Sequence, residues 1–396
     1  MTIASFTISL LPKIEFGPGC FNKLPELLAQ YGQKILLVTG KQSIESSDHW
    51  QLLQGWLKQS GHQVARVKID TEPSPQMIDD IVTEYRHSKI DIILGLGGGS
   101  VLDAAKAVSG LLRLNHSVMD FLEGVGPELT YPGPAVPFIA IPTTAGTGSE
   151  ATKNAVLSDQ NYNGFKKSFR DDQLIPQYAI IDPDLLKSCP DELIAANGMD
   201  ALTQLLESFV STRSNTMTDA LAISGLNACT NSLLEWYQHG PDESDARANM
   251  AYASLTSGIC LAQTGLGSVH GLAAPLGAFF PIPHGVACGT LVATATRVNI
   301  ESMQSRAQDN PALAKYEKIA RVLCNKDFNS RQHAFDGLIT TLEDLTENLH
   351  LPRLGKYGVT KKDVEHITKH SRGSSMKTNP IDLNDNEISR IVSDRI

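Results

Sequence analysis

Short aliphatic and β-branched runs punctuate the first half of the chain: KILLVTG at 34–40, QVARVKI at 63–69, DIILGLGG at 91–98, VPFIAIPTT at 136–144 and YAIIDP at 178–183. Helical stretches separate them, and this alternation predicts a parallel sheet with helices packed against it. After about residue 185 the strand signals stop, and apolar positions recur at the 3.6-residue spacing of helices. Pro183 and Pro190 bracket the segment where the pattern changes. The expected fold class is therefore α/β plus all-α, with a parallel-sheet domain over 1–185 and a helical domain over 186–396. The polar, turn-rich stretch 371–385 is expected to be loop before a last short helix.

Composition narrows the class without changing that picture. Hydrophobic residues are 41% and charged residues 19% of 396, a globular balance. No apolar run is long enough to span a bilayer and no basic segment precedes an apolar signal, so a soluble, cytoplasmic protein with no membrane partner is expected. A net charge of -9 without a basic patch argues against nucleic acid as a partner. The six cysteines are dispersed, no pair has the C-x-x-C spacing, and they are expected to be reduced thiols. Cys288, four residues after His284 in an apolar run, reads more readily as packing than as a ligand.

Three segments carry candidate chemistry. In DIILGLGGGSVLDAAK a strand leads through Gly95, Gly97, Gly98 and Gly99 into a helix, which Ser100 would open with Asp103 at a capping-box spacing. Glycines there let the backbone approach a pyrophosphate, and a helix N-terminus offers it free N–H groups. Tightness of the turn alone would also explain them. The loop Pro142–Glu150 packs Thr143, Thr144, Thr147 and Ser149 behind another apolar run. Its hydroxyls suit ribose or phosphate oxygens, although one of them could merely cap a helix. Asp200 and Gln204 lie one helical turn apart and share a face. Asp200 reads either as a first-turn acid favoured by the helix dipole or as a ligand. His270 and His284 flank GLAAPLGAFFPIP, and two imidazoles with one carboxylate form the donor set that Fe²⁺ or Zn²⁺ takes in an open catalytic site.

The motifs PKIEFGPGCFNKL, GGGSVLDAAK, IPTTAGTGSEAT, AIIDPDL, NGMDAL and HGLAAPLGAFFPIPHGVACG, in this order, resemble the iron-containing, group III alcohol dehydrogenases of the dehydroquinate synthase-like superfamily. The resemblance implies a Rossmann-like NAD(P)-binding domain over 1–185 and an all-helical metal- and substrate-binding domain over 186–396. It further implies an active site in the cleft between them and a homodimer. Gly97, Gly98, Gly99 and Ser100, with Asp103 beside them, match the pyrophosphate loop; Thr143, Thr144, Thr147 and Ser149 match the nicotinamide-ribose side; Lys166 matches a ribose contact. Asp200, His270 and His284 match three of four metal ligands, and through the metal they would be the catalytic residues.

Two departures stand out. Gln204 occupies the place of the family's other histidine ligand; its amide oxygen is a poorer donor, which leaves metal identity open. Ala274 stands where many members carry a proton-relaying histidine. The second strand ends at Gly40, followed by Lys41, with no acid to repel a 2′-phosphate; Lys41 or Ser43 would hold that phosphate, so NADP is expected to be accepted. Glu207, three residues beyond Gln204, reads as a salt-bridge partner more readily than as support for a metal.

The expected activity is metal-dependent, NAD(P)-linked hydride transfer between nicotinamide C4 and a small alcohol or aldehyde. The apolar GAFFPIP points to aliphatic or aromatic aldehydes over sugars. Two alternatives keep the fold. A dehydroquinate synthase-like lyase would need converging Lys and Arg, of which these motifs hold almost none; a cofactor-binding protein without turnover would account for Gln204 and Ala274.

Overall fold

The computed structural model describes residues 4–40, 44–160 and 164–396. The chain divides into two compact units, one built from Ser9–Asp159 and Lys166–Pro190, the other chiefly from Asp191–Ile396.

The first unit contains β1 (Lys13–Phe16), α1 (Leu24–Leu28), β2 (Lys34–Gly40), α2 (Asp48–Gln59), β3 (Gln63–Ile69), α3 (Pro75–Tyr85), β4 (Ile92–Gly97), α4 (Gly99–Leu111), β5 (Phe138–Pro142), β6 (Asn154–Asp159), β7 (Phe165–Arg170) and β8 (Tyr178–Ile181). Six strands form one sheet in the order β1-β8-β5-β4-β2-β3, and every recorded pairing in it is parallel. β4, β5 and β8 are buried along their whole length, as strands covered on both faces must be. The five apolar runs thus became five of these strands. β1 was not legible because KIEF is a short, largely exposed edge strand that pairs only with β8. β6 and β7 form a separate two-stranded ribbon, and FKKSFR carries too many charges to read as a strand.

Ser47 and Ser74 cap α2 and α3 by accepting from the backbone N–H of Trp50 and Met77. α4 differs. Its N-cap is Gly98, it begins at Gly99, and no side chain caps it, so the capping box expected at Ser100 is absent. The Asp103 carboxylate accepts from the Ser149 hydroxyl and the Val156 N–H instead.

The second unit is helical: α5 (Asp191–Val210), α6 (Thr216–Cys229), α7 (Ser232–His239), α8 (Ser244–Thr264), α9 (Ser268–Phe279), α10 (His284–Arg306), α11 (Ala312–Leu323), α12 (Arg331–Asn348), α13 (Val364–His370) and α14 (Asp385–Ser393). α5 is its central helix, packed against α6, α8 and α10 and buried on all sides from Gly198 onward. It begins directly after Pro190, so Asp200 sits in mid-helix rather than opening the segment. That position removes the first-turn-acid reading, since the dipole effect is confined to the terminal turn. Two glycines let α10 press onto α5. A Cβ on Gly285 would stand 2.2 Å from the Ala196 carbonyl oxygen, and one on Gly289 would stand 2.8 Å from the Met199 Cβ. Before α14, residues 371–384 are loop apart from a short 3₁₀ turn at Met376–Thr378. No described helix is long and apolar enough to cross a membrane.

Candidate metal centre and cofactor loops

α5 contributes Asp200, with Gln204 one turn and Glu207 two turns further on. α9 contributes His270 from its first turn, while α10 contributes His284 at its first position and Cys288 one turn later. The close approach of α10 to α5 brings these side chains together. His270 Nε2 lies 3.2 Å and His284 Nε2 3.8 Å from Asp200 Oδ1. Cys288 Sγ lies 3.6 Å from His270 Nε2 and 3.8 Å from His284 Nε2. One ligand atom from each of the four falls within 4.8 Å of all the others. Asp200, His270 and Cys288 are buried, and only His284 keeps sizeable exposure, 27% of its side chain.

Electrostatics suit a cation. Burial by itself would raise the Asp200 pKa, but His284, His270 and the Gln204 amide outweigh it and hold the carboxyl at about 2. Burial pushes the Cys288 thiol up to about 12, so without a cation it stays protonated. Glu207 does more than cap a salt bridge. It accepts from His270 Nδ1 at 2.7 Å and from the Val269 N–H at 2.7 Å. A carboxylate at Nδ1 keeps the proton there and leaves Nε2 to act as donor, the usual support for a ligating histidine. Gln204 is buried among the same groups, where its amide oxygen accepts from Ser257 Oγ at 2.8 Å. Ala274 lies one turn beyond His270 on α9. A buried ionised carboxylate, two imidazoles aimed by their nitrogens and a thiol fit a divalent transition ion.

In the sheet unit the two polar loops lie against each other. Thr143 N–H donates to the Gly97 carbonyl at 3.0 Å. A Cβ on Gly98 would stand 3.3 Å from Thr144 Oγ1, and one on Gly99 2.8 Å from the Thr147 side chain. With Gly98 as a cap that has no side chain, the first N–H groups of α4, including that of Ser100, keep no side-chain partner and suit an anion such as a pyrophosphate. Gly40 ends β2, paired in register with Ile69. Lys166, on β7, forms an ion pair with Glu72 at 2.6 Å. Lys41 and Ser43 lie outside the described residues.

Ser149 and Asp103 turn inward, toward a residue that sequence reasoning passed over. Lys106 is fully buried, and its Nζ lies 2.8 Å from Ser149 O, 3.0 Å from Ser149 Oγ, 2.9 Å from Thr152 Oγ1 and 2.9 Å from Asn154 O. Its only sequence signal was Asp103 one turn earlier. Burial lowers the Lys106 pKa to about 8, and burial raises that of neighbouring Glu150 to about 7.

Comparison with known proteins agrees with this architecture. Residues 12–183 match the model of the iron-containing alcohol dehydrogenases, and residues 194–396 match that of the C-terminal region of the Fe-containing alcohol dehydrogenase family. The chain belongs to this family of oxidoreductases acting on alcohols. It is 29% identical over 395 residues to Alcohol dehydrogenase 4 of Saccharomyces cerevisiae, covering 98% of each chain. It is also 29% identical over 391 residues to the NADPH-dependent butanol dehydrogenase of Clostridium saccharobutylicum, covering 96% of each. A crystal structure of a 1,3-propanediol oxidoreductase superposes with a TM-score of 0.88 at 27% identity, covering 99% of this chain and 100% of that one. Membership among the dehydrogenases sets aside the lyase alternative.

Proposed function

We propose that this chain catalyses reversible, metal-dependent hydride transfer between the nicotinamide C4 of NAD(P) and the carbinol carbon of a small aliphatic or aromatic alcohol. The observation that carries the reading is the convergence of Asp200, His270 and His284 on one buried point of the helical unit. Asp200, His270 and His284 would hold a divalent ion, and that ion would supply Lewis-acid polarisation of the substrate oxygen. Asp200 remains ionised across the working pH range, and Glu207 keeps the His270 ring in its donor orientation. In the sheet unit the uncapped start of α4, from Gly98 to Ser100, receives the pyrophosphate, and Thr143, Thr144 and Thr147 border it. Ala274 carries no titratable group, so the alcohol proton leaves through water, a cofactor hydroxyl or another group.

NADPH use is supported by the name of the butanol dehydrogenase relative and by the lack of an acid just after Gly40. Fe²⁺ and Zn²⁺ both suit the donor set, and the family description favours iron. A cytoplasmic homodimer completes the reading, in keeping with six free cysteines. The test is NADH and NADPH oxidation with a panel of small aldehydes, using metal-stripped protein before and after addition of Fe²⁺ or Zn²⁺. Turnover that appears only on adding metal is expected. Turnover indifferent to metal, or none under any condition, would sink the proposal and favour the reading of a cofactor binder without turnover.

A further inference from the structure

We infer that Cys288, and not Gln204, supplies the fourth protein ligand, so that this chain builds an Asp-His-His-Cys site that selects Zn²⁺ over Fe²⁺. The inference rests on the metal-dependent reading above and concerns which residues of this chain complete the site.

The spacing of the donor atoms carries it. A tetrahedral ion with metal–N and metal–O bonds of about 2.0–2.1 Å and a metal–S bond of about 2.3 Å sets N···O edges of about 3.3 Å and N···S edges of about 3.6 Å. The corresponding edges here are 3.2 and 3.8 Å from the two imidazoles to Asp200, and 3.6 and 3.8 Å from the same imidazoles to Cys288 Sγ. The sulfur thus stands at a ligand's distance from both rings. A thiol that only filled an apolar gap would have no reason to face two imidazole nitrogens.

Gln204 is turned to another task. Its amide oxygen, the atom with which it would ligate, accepts from Ser257 Oγ at 2.8 Å, and its amide also hydrogen-bonds the Asp200 side chain. With the oxygen engaged, the amide meets Asp200 through its N–H, and an N–H directed at the carboxylate orients a ligand but cannot donate to a cation. Gln204 is therefore a positioning residue for Asp200. The four-residue spacing that places Gln204 beside Asp200 on α5 is repeated by His284 and Cys288 on α10. The second donor has in effect moved from one helix to the other. Gly285 makes this workable, because any side chain there would hold the first turn of α10 away from the α5 backbone.

On metal uptake the thiol S–H bond breaks, its proton passes to solvent, and a metal–S bond forms with no change of oxidation state. A thiolate in a site otherwise of nitrogen and oxygen biases it toward Zn²⁺ and away from Fe²⁺.

X-ray absorption on the Zn²⁺-loaded full-length protein tests this directly. The expected result is about one Zn²⁺ per chain with one sulfur scatterer at about 2.3 Å. The sulfur shell should disappear in Cys288→Ser and persist in Gln204→Ala. In Co²⁺-loaded protein the thiolate-to-metal charge-transfer band should follow the same pattern, and metal retention lost in Cys288→Ser should be regained on adding Gln204→His. Stoichiometric Zn²⁺ held by nitrogen and oxygen alone in the unmodified protein would overturn the inference while leaving the dehydrogenase reading intact. Failure to bind Zn²⁺ or Fe²⁺ at all would overturn both. The spectrum of the unmodified protein decides the matter even where a variant fails to fold.

Discussion

In the sheet unit, the fully buried ammonium of Lys106 lies within 3.0 Å of four oxygens from Ser149, Thr152 and Asn154, with the Asp103 carboxylate 3.9 Å away. In the helical unit, the ionised, equally buried Asp200 meets His270, His284 and Cys288, all of them groups that donate electron pairs to a metal. The first cluster carries its own cation and is closed: it locks the Thr-rich loop onto α4. The second is a set of donors aimed at a common point, and under the proposed function the cation that completes it would come from solution. Burial of charge alone therefore does not mark a binding site. What separates the two is whether the chain supplies the counter-charge.

Substitutions can break this contrast. Asp200→Ala removes the charged ligand and should lower kcat/KM by about four orders of magnitude, because the lost Lewis-acid stabilisation is several kcal/mol. Steady-state kinetics with metal analysis would check it, and a residual activity within tenfold of the parent would contradict the assignment. Lys106→Met should leave metal stoichiometry unchanged but destabilise the sheet unit by about 3–5 kcal/mol, since it strands Asp103 and the surrounding acceptors. Calorimetry resolves this, and loss of bound metal in that variant would erase the distinction between the clusters.

Glu150 tests the electrostatics of the closed cluster. Its pKa is raised by burial from an ordinary 4.5 to about 7, so the folded state binds this proton more tightly than the unfolded chain does. The associated stability is fully present below the unfolded value and is lost as pH rises through the folded one. Between about pH 4.5 and 7 the parent should lose up to about 3 kcal/mol relative to Glu150→Gln. Parallel pH profiles of Tm for the two proteins would refute the assignment. The smallest effect is expected at Glu207→Gln, which keeps the shape but removes the charge at His270 Nδ1. Metal affinity should fall about 10- to 100-fold in a chelator competition.

Much of this was legible in the chain. KILLVTG and QVARVKI became β2 and β3 at the bounds their patterns predicted: β2 is an inner, covered strand on a continuous apolar run, whereas β3 is a largely exposed edge strand that was legible through its β-branched Val64, Val67 and Ile69. β1, β6 and β7 escaped notice because edge and ribbon strands require no such run. The Gly-rich loop was correctly placed between β4 and α4, but its cap was not: Asp103 was drawn inward to Ser149 and the Lys106 cluster.

Sequence alone determined the two-part architecture and put forward the glycine turn and the trio Asp200, His270 and His284 as candidates, because period, glycine content and residue type are local properties. Tertiary structure decided the rest. Glu207 reaches His270 across 63 positions and Lys106 reaches Ser149 across 43. Cys288 became a candidate ligand and Gln204 a partner of Ser257 only when α8, α9 and α10 closed around α5. A side chain's role in a polar cluster depends on which atoms face it from other helices, and no pattern along one helix encodes those neighbours.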